Sequence, residues 1–264
     1  MIPRSGSGAR GDDDLDAILH LDPRIQPGQS AREIALVKGV LRWQGFLEET
    51  GGSEGRSEDL FDLEAAEAIG RYQEFYDLDV TRRFNPPTIR SLTIRRCALT
   101  PLSVRGVGDQ CLEKRSYACR IVGGETFRKG AALAIHAWNS ALREARIPVG
   151  FNVVATGEGA EVLVATEGPG SFPDSSWGRA DLPSGCPDLD HRERRAVLNS
   201  ASGWSVSGSG GTTFSALYGY LHELGHVLGL GDICSSRSVM CNSVRNAIRN
   251  PAKADIDRIG ELYS

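Results

Sequence analysis

The twelve residues Leu221–Asp232, "LHELGHVLGLGD", restrict the fold of this chain more than any other stretch. His222 and His226 are four apart, which on a helix puts both imidazoles on one face, about one turn from each other. The flanking sequence supports that helix. From Thr212, a candidate N-cap after a glycine run, to Leu228 there is no proline, and Phe214, Leu217, Leu221, Leu224 and Val227 recur at helical spacing. Gly229 lets the backbone leave the helix through a left-handed conformation, and Asp232 is then brought round toward the histidines. Three ligands with an open fourth position are the arrangement of a catalytic zinc, whereas a structural zinc has four closed ligands. Glu223, adjacent to His222, is placed to reach a zinc-bound water rather than the ion. Zinc lowers the pKa of that water to about 7, and a carboxylate beside it takes the proton during attack on a peptide carbonyl and hands it to the leaving amine. A surface helix that merely holds two histidines is the competing reading. The added glycine and aspartate, with apolar residues wherever the helix must bury, argue against it.

Composition limits the partners. Thirty basic against 34 acidic residues give a net charge of −4, which offers no basis for a nucleic-acid or membrane-surface partner. No apolar run approaches the roughly 20 residues that span a bilayer. The opening "MIPRSGSGARGDDDLD" lacks the basic and apolar regions of a secretory signal, so nothing in the chain as written marks export. The six cysteines, Cys97, Cys111, Cys119, Cys186, Cys234 and Cys241, suit a secreted enzyme with two or three bridges. An extracellular monomer acting on a protein or peptide is expected.

The chain has two composition regimes. Residues 1–29, rich in Gly, Ser, Asp and Pro, read as a mobile N-terminal arm. Residues 30–97 hold three helical patterns: one from Ser30 as N-cap with Glu33 three residues on, a second in "DLEAAEAIGRYQEFYDL", and a short third starting at a proline. Residues 98–119 read as a linker with candidate processing sites at Arg105, Lys114 and Arg115, or as an ordered crossover loop. In residues 120–264, "KGAALAIHAWNSAL" is an amphipathic helix with Ala132, Ile135, His136 and Trp138 to Leu142 on its apolar side. His136 reads there as a packed or surface histidine, not a ligand. "VGFNVVAT", "AEVLVAT", "SWGRADLP" and "RAVLNSA" read as strands. The fold class expected is α+β: a small three-helix bundle, then a mixed α/β domain with one twisted sheet and a long zinc-binding helix.

Two resemblances extend this reading. "VLRWQGFL" with "AIGRYQEFYDLDVTRRFNPPTIRSL" resembles the peptidoglycan-binding-like fold that matrixins use as a prodomain. Thr88, Leu92, Arg96 and Cys97 fall in the register where such prodomains close on a zinc-blocking cysteine, although Arg95 and Ala98 replace the usual proline and glycine. The extended histidine motif, the downstream "VMCN" and the closing "ADIDRIGELY" resemble the metzincins, matrixins in particular. The resemblance implies a latent zymogen with Cys97 as its switch, and Met240 as the methionine of a turn beneath the zinc histidines. Asp232 stands where matrixins have histidine and where snapalysin-like metzincins have aspartate. Cys234 and Cys241 flank the Met240 turn, and the snapalysin-like resemblance implies a disulfide between them, with metal ligation as the rival. Only His191 lies between Phe151 and His222, so no second, structural zinc is expected. Asp174, Asp181, Asp188 and Asp190 offer a calcium loop or, as the simpler reading, a solvated acidic loop. The alternative function is a cell-wall-associated protease whose N-terminal domain binds peptidoglycan.

Overall fold

The computed structural model describes residues 12–48, 57–94, 96–97, 116–172, 176–181, 193–208, 213–233, 237–241 and 246–263. Backbone contacts divide the chain into two compact units, Met1–Arg95 with Pro173–Ser175, and Arg96–Phe172 with Ser176–Ser264.

The first unit is helical, with α1 (Asp12–Leu19), α2 (Arg32–Trp43), α3 (Leu63–Phe75) and α4 (Pro86–Leu92). Two of these begin at side-chain caps. Asp62 accepts from the Ala65 N–H and Asn85 from the Thr88 N–H, each at 2.8 Å, and Pro86 occupies the first turn of α4, where its missing donor costs nothing. Ile18, Ile34, Leu41, Phe61, Ile69, Tyr72 and Leu92 form the core. Two expectations are corrected here. The segment expected to be an arm contains α1, because Ile18 is fully buried and Leu21 nearly so. α2 is capped at Ala31 rather than Ser30, which instead pairs as an extended residue with Leu60 while Ala31 N–H donates to the Asp59 carbonyl.

The second unit carries a five-stranded sheet in the order β2-β1-β3-β5-β4, formed by β1 (Ser116–Ile121), β2 (Gly150–Val153), β3 (Val162–Glu167), β4 (Gly178–Ala180) and β5 (Arg194–Asn199). The pairs are parallel except β4 against β5. A short parallel pair, β6 (Trp204–Ser205) with β7 (Phe214–Ser215), leads into α6 (Ala216–Val227). The segment expected to be a linker therefore ends earlier than position 119. Ser116–Cys119 belong to β1, an interior strand whose alternating Tyr117 and Cys119 are buried while Ser116 is exposed.

α5 (Glu125–Glu144) supplies the parallel crossover from β1 to β2 and packs on α6. Its buried face is Ala131, Ala134, Ile135, Trp138 and Leu142, while Ala132 and His136 are exposed, a rotation of the apolar stripe from that read in the sequence. Trp138 is fully buried, and its indole N–H donates to the Leu221 carbonyl at 2.9 Å, fixing α5 to the helix that carries the histidines. Truncating it removes the largest side chain of this interface and a hydrogen bond together. Trp138→Ala is expected to lower stability by about 3–5 kcal/mol, read from the midpoint of denaturant unfolding. The last helix, α7 (Lys253–Leu262), returns to the site. Among the described residues, no helix is long and apolar enough to cross a membrane.

Candidate metal centre

α6 begins at Ser215, whose hydroxyl accepts from the Tyr218 N–H at 3.1 Å, later than the Thr212 start read from the sequence; Thr212 lies outside the described residues. Every residue of α6 is buried, so the helix is enclosed and its histidines are shielded from bulk water. The helix stops at Val227, and Gly229 takes a φ of +95°, a left-handed conformation that a side chain would strain. Gly229 N–H then closes on the His226 carbonyl and Leu230 N–H on the Gly225 carbonyl, which turns the chain back along the helix.

The structure brings His222, His226, Asp232 and Cys97 together, with one ligand atom from each lying within 4.8 Å of the others and all four residues buried. His222 Nδ1–H donates to the Val239 carbonyl and His226 Nδ1–H to the Leu230 carbonyl, both at 2.8 Å. These bonds fix both rings with Nε2 facing inward as a lone pair. The two Nε2 atoms are 2.9 Å apart and each is 3.3 Å from Asp232 Oδ1. Cys97 Sγ lies 3.5 Å from Asp232 Oδ2 and 3.8 Å from His226 Nε2.

Converging lone pairs in a buried pocket repel unless a cation sits among them. The titration behaviour expresses the same demand. Burial works to pull His222 down, yet the hydrogen bond and charge of Asp232 outweigh it and raise His222 to about 9. Burial likewise works to raise Asp232, and the two histidines overcome it, holding that carboxyl well below its usual range. Two imidazoles, a carboxylate and a thiol suit zinc, and the donor set present therefore fits that ion.

Glu223 is fully buried, and neither carboxylate oxygen has a hydrogen-bond partner among the described residues. Burial, against the opposing charge of His222, raises it to about 8. An acceptor of this kind is costly to keep unless a bound molecule satisfies it. Met240 is buried against α6 at Gly225, where a side chain would collide with the methionine sulfur, so the close approach requires glycine one residue before His226. Arg96–Cys97 is tied to the segment leading into β4, since the Trp177 N–H donates to the Arg96 carbonyl at 3.1 Å.

Several sequence expectations lie elsewhere. Cys234, Cys111 and Cys186 are outside the described residues, so the pairing of Cys234 with Cys241 has only Cys241 in view, buried, with its carbonyl accepting from Tyr218 Oη. Cys119 is a buried thiol in β1 that burial and Glu161 push up to about 12, which leaves it inert. Of the acidic residues considered for calcium, Asp174, Asp188 and Asp190 fall outside the described residues, and Asp181 is committed to Arg195, accepting from its backbone N–H at 3.0 Å. Calcium has no support there.

Four contributors were not legible in the sequence. Val239 and Leu230 act through their carbonyls, which carry no side-chain signal. Asp255, fully buried in α7, accepts from Val239 N–H and from Ser238 Oγ, and so fixes the backbone that orients His222. Trp177 meets the His222 ring edge-on with centroids 5.1 Å apart.

Known proteins share parts of this sequence. Residues 166–264 match the family model described as matrixin. The chain is 23% identical over 272 residues to Metalloendoproteinase 1 of Glycine max, covering 90% of this chain and 84% of that protein. A crystal structure of metalloproteinase-II from Bacteroides fragilis aligns over 59% of this chain with 11% identity and a TM-score of 0.37, and this chain spans 55% of that one.

Proposed function

We propose that the chain is a matrixin-like zinc metalloendopeptidase in which His222, His226 and Asp232 hold the catalytic zinc, Glu223 is the general base and Cys97 keeps the intact chain latent, a reading supported by the matrixin match and the likeness to Metalloendoproteinase 1. The observation that carries this reading is the convergence of four buried donors beside a buried carboxylate that has no hydrogen-bond partner among the described residues.

Zinc, when bound, supplies a Lewis acid that makes water nucleophilic near neutral pH and polarises a peptide carbonyl. His222 and His226 offer Nε2 because their Nδ1 protons are committed to backbone carbonyls. Asp232 offers a carboxylate that stays ionised beside them. Glu223 accepts the proton of the attacking water on its carboxylate and returns it to the leaving amine; an environment that disfavours its charge favours proton uptake. Cys97 would offer its sulfur beside these three donors and so keep water from the ion. Its chain position, ahead of residues 98–115 and after the helical unit, means that a cut in that stretch separates the backbone carrying the thiol from that of the residues that do the chemistry.

The ligand assignment is tested by Asp232→Ala. Zinc content after dialysis is expected to fall well below that of the parent, and a chelator is expected to abolish peptide hydrolysis by the parent. Parental zinc content in Asp232→Ala would remove Asp232 from the ligand set.

A further inference from the structure

Asp232 reaches the histidines from a turn whose residues are each held in place. Gly229 is pinned by the His226 carbonyl, Leu230 by the Gly225 carbonyl and by His226 Nδ1, and Ile233 by the Met240 carbonyl at 2.9 Å. Gly231, the buried residue immediately before Asp232, has no side chain and takes its anchor from the opposite element: Arg258 Nη2 in α7 donates to the Gly231 carbonyl at 3.2 Å. A carboxylate ligand is short, so its reach to the metal is set by where the backbone of residue 232 stands. The peptide between Gly231 and Asp232 is the one that Arg258 holds.

Arg258 is one helical step, three residues, from Asp255, whose carboxylate holds the Val239 N–H and thereby the carbonyl that orients His222. One face of α7 thus fastens two strands of the site. Asp255 acts on the first histidine and Arg258 on the third ligand. Arg258 Nη1 is itself buried and has no hydrogen-bond partner among the described residues, so the guanidinium is held in place at a desolvation cost.

We infer that Arg258 is a positioning residue for the metal centre, fixing the Gly231–Asp232 peptide so that the Asp232 carboxylate is preset for zinc. The inference rests on the assignment of Asp232 as third ligand. It assigns to the closing helix a role in metal retention that its distance from the His222–Asp232 motif in sequence conceals.

The test is a double-mutant cycle on the full chain, with zinc affinity measured by competition against a chromophoric chelator. Arg258→Met keeps the aliphatic stem and removes the donor and the charge. It is expected to weaken zinc binding by about tenfold or more, the usual effect of losing a partner behind a ligand. Arg258→Lys, which keeps the charge and one reachable donor, is expected to recover part of that loss. In an Asp232→Ala background, Arg258→Met is expected to cause no further loss, because the ligand it positions is gone. A purely structural role would lower affinity equally in both backgrounds, and that result overturns the inference, as does parental affinity in Arg258→Met. If Asp232→Ala alone left affinity unchanged, the ligand assignment itself would fail, an outcome separate from either result for Arg258. Should Arg258→Met not fold, Arg258→Lys carried through the same cycle decides: a loss confined to the Asp232 background supports the inference, and no loss or an equal loss in both overturns it.

Discussion

Glu223→Ala, made in a chain cleaved between residues 98 and 115, is expected to lose about 10²- to 10⁴-fold in peptide hydrolysis while retaining parental zinc, the range set by removing a positioned general base. In the proposed mechanism the base and the ligands are different residues, so metal content and turnover are expected to separate. Neither Glu223 oxygen has a hydrogen-bond partner among the described residues, so truncation strands no donor there, and the fold is expected to survive it. Burial of the carboxylate is in fact a cost to the fold, and Glu223→Ala is expected to unfold no earlier than the parent in denaturant. Glu223→Gln provides the near-isosteric control, since an amide fills the same volume and cannot accept the proton. Near-normal turnover in either variant would remove Glu223 from the mechanism, and loss of zinc in both would make it a determinant of the metal site.

Cys97→Ala is expected to convert the intact chain from latent to active or self-processing, with hydrolysis rising more than about tenfold, because a filled fourth position excludes the water on which the reaction depends. The sulfur stands 3.5 Å from Asp232 and 3.8 Å from His226, close enough that a metal held by those residues would meet it. Cys97→Ser tests the same point with an oxygen in place of the sulfur and is expected to activate as well, since a neutral hydroxyl is a far weaker zinc ligand than a thiolate. Were Cys97 instead a partner in a disulfide, both substitutions would lower stability without raising activity.

The sequence made the helix of the site legible because two histidines, a run free of proline and a terminal glycine all point to one geometry. The strands β2 to β5 were legible from short β-branched and apolar runs bounded by turn residues. β1 was not, since Ser116–Ile121 follows a charged stretch with no sustained period and its alternation is too short to stand out. The helix α1 was hidden for a related reason: one turn and a half of acidic residues carries only Leu15, Ile18 and Leu19 to mark an apolar side, and Ile18 alone is fully buried. Asp255 and Arg258 look like the solvated face of an amphipathic helix, and only the tertiary fold turns them toward the Val239 N–H and the Gly231 carbonyl. Side chains that act through another residue's backbone leave no spacing pattern for a motif to capture.

Zinc K-edge X-ray absorption on the full-length, metal-loaded protein distinguishes an ion held by two histidines, Asp232 and Cys97 from one held without the thiol. One sulfur among nitrogen and oxygen neighbours, lost in Cys97→Ala while zinc stays bound, is the result predicted. A first shell of nitrogen and oxygen alone in the parent, unchanged by Cys97→Ala, would contradict it.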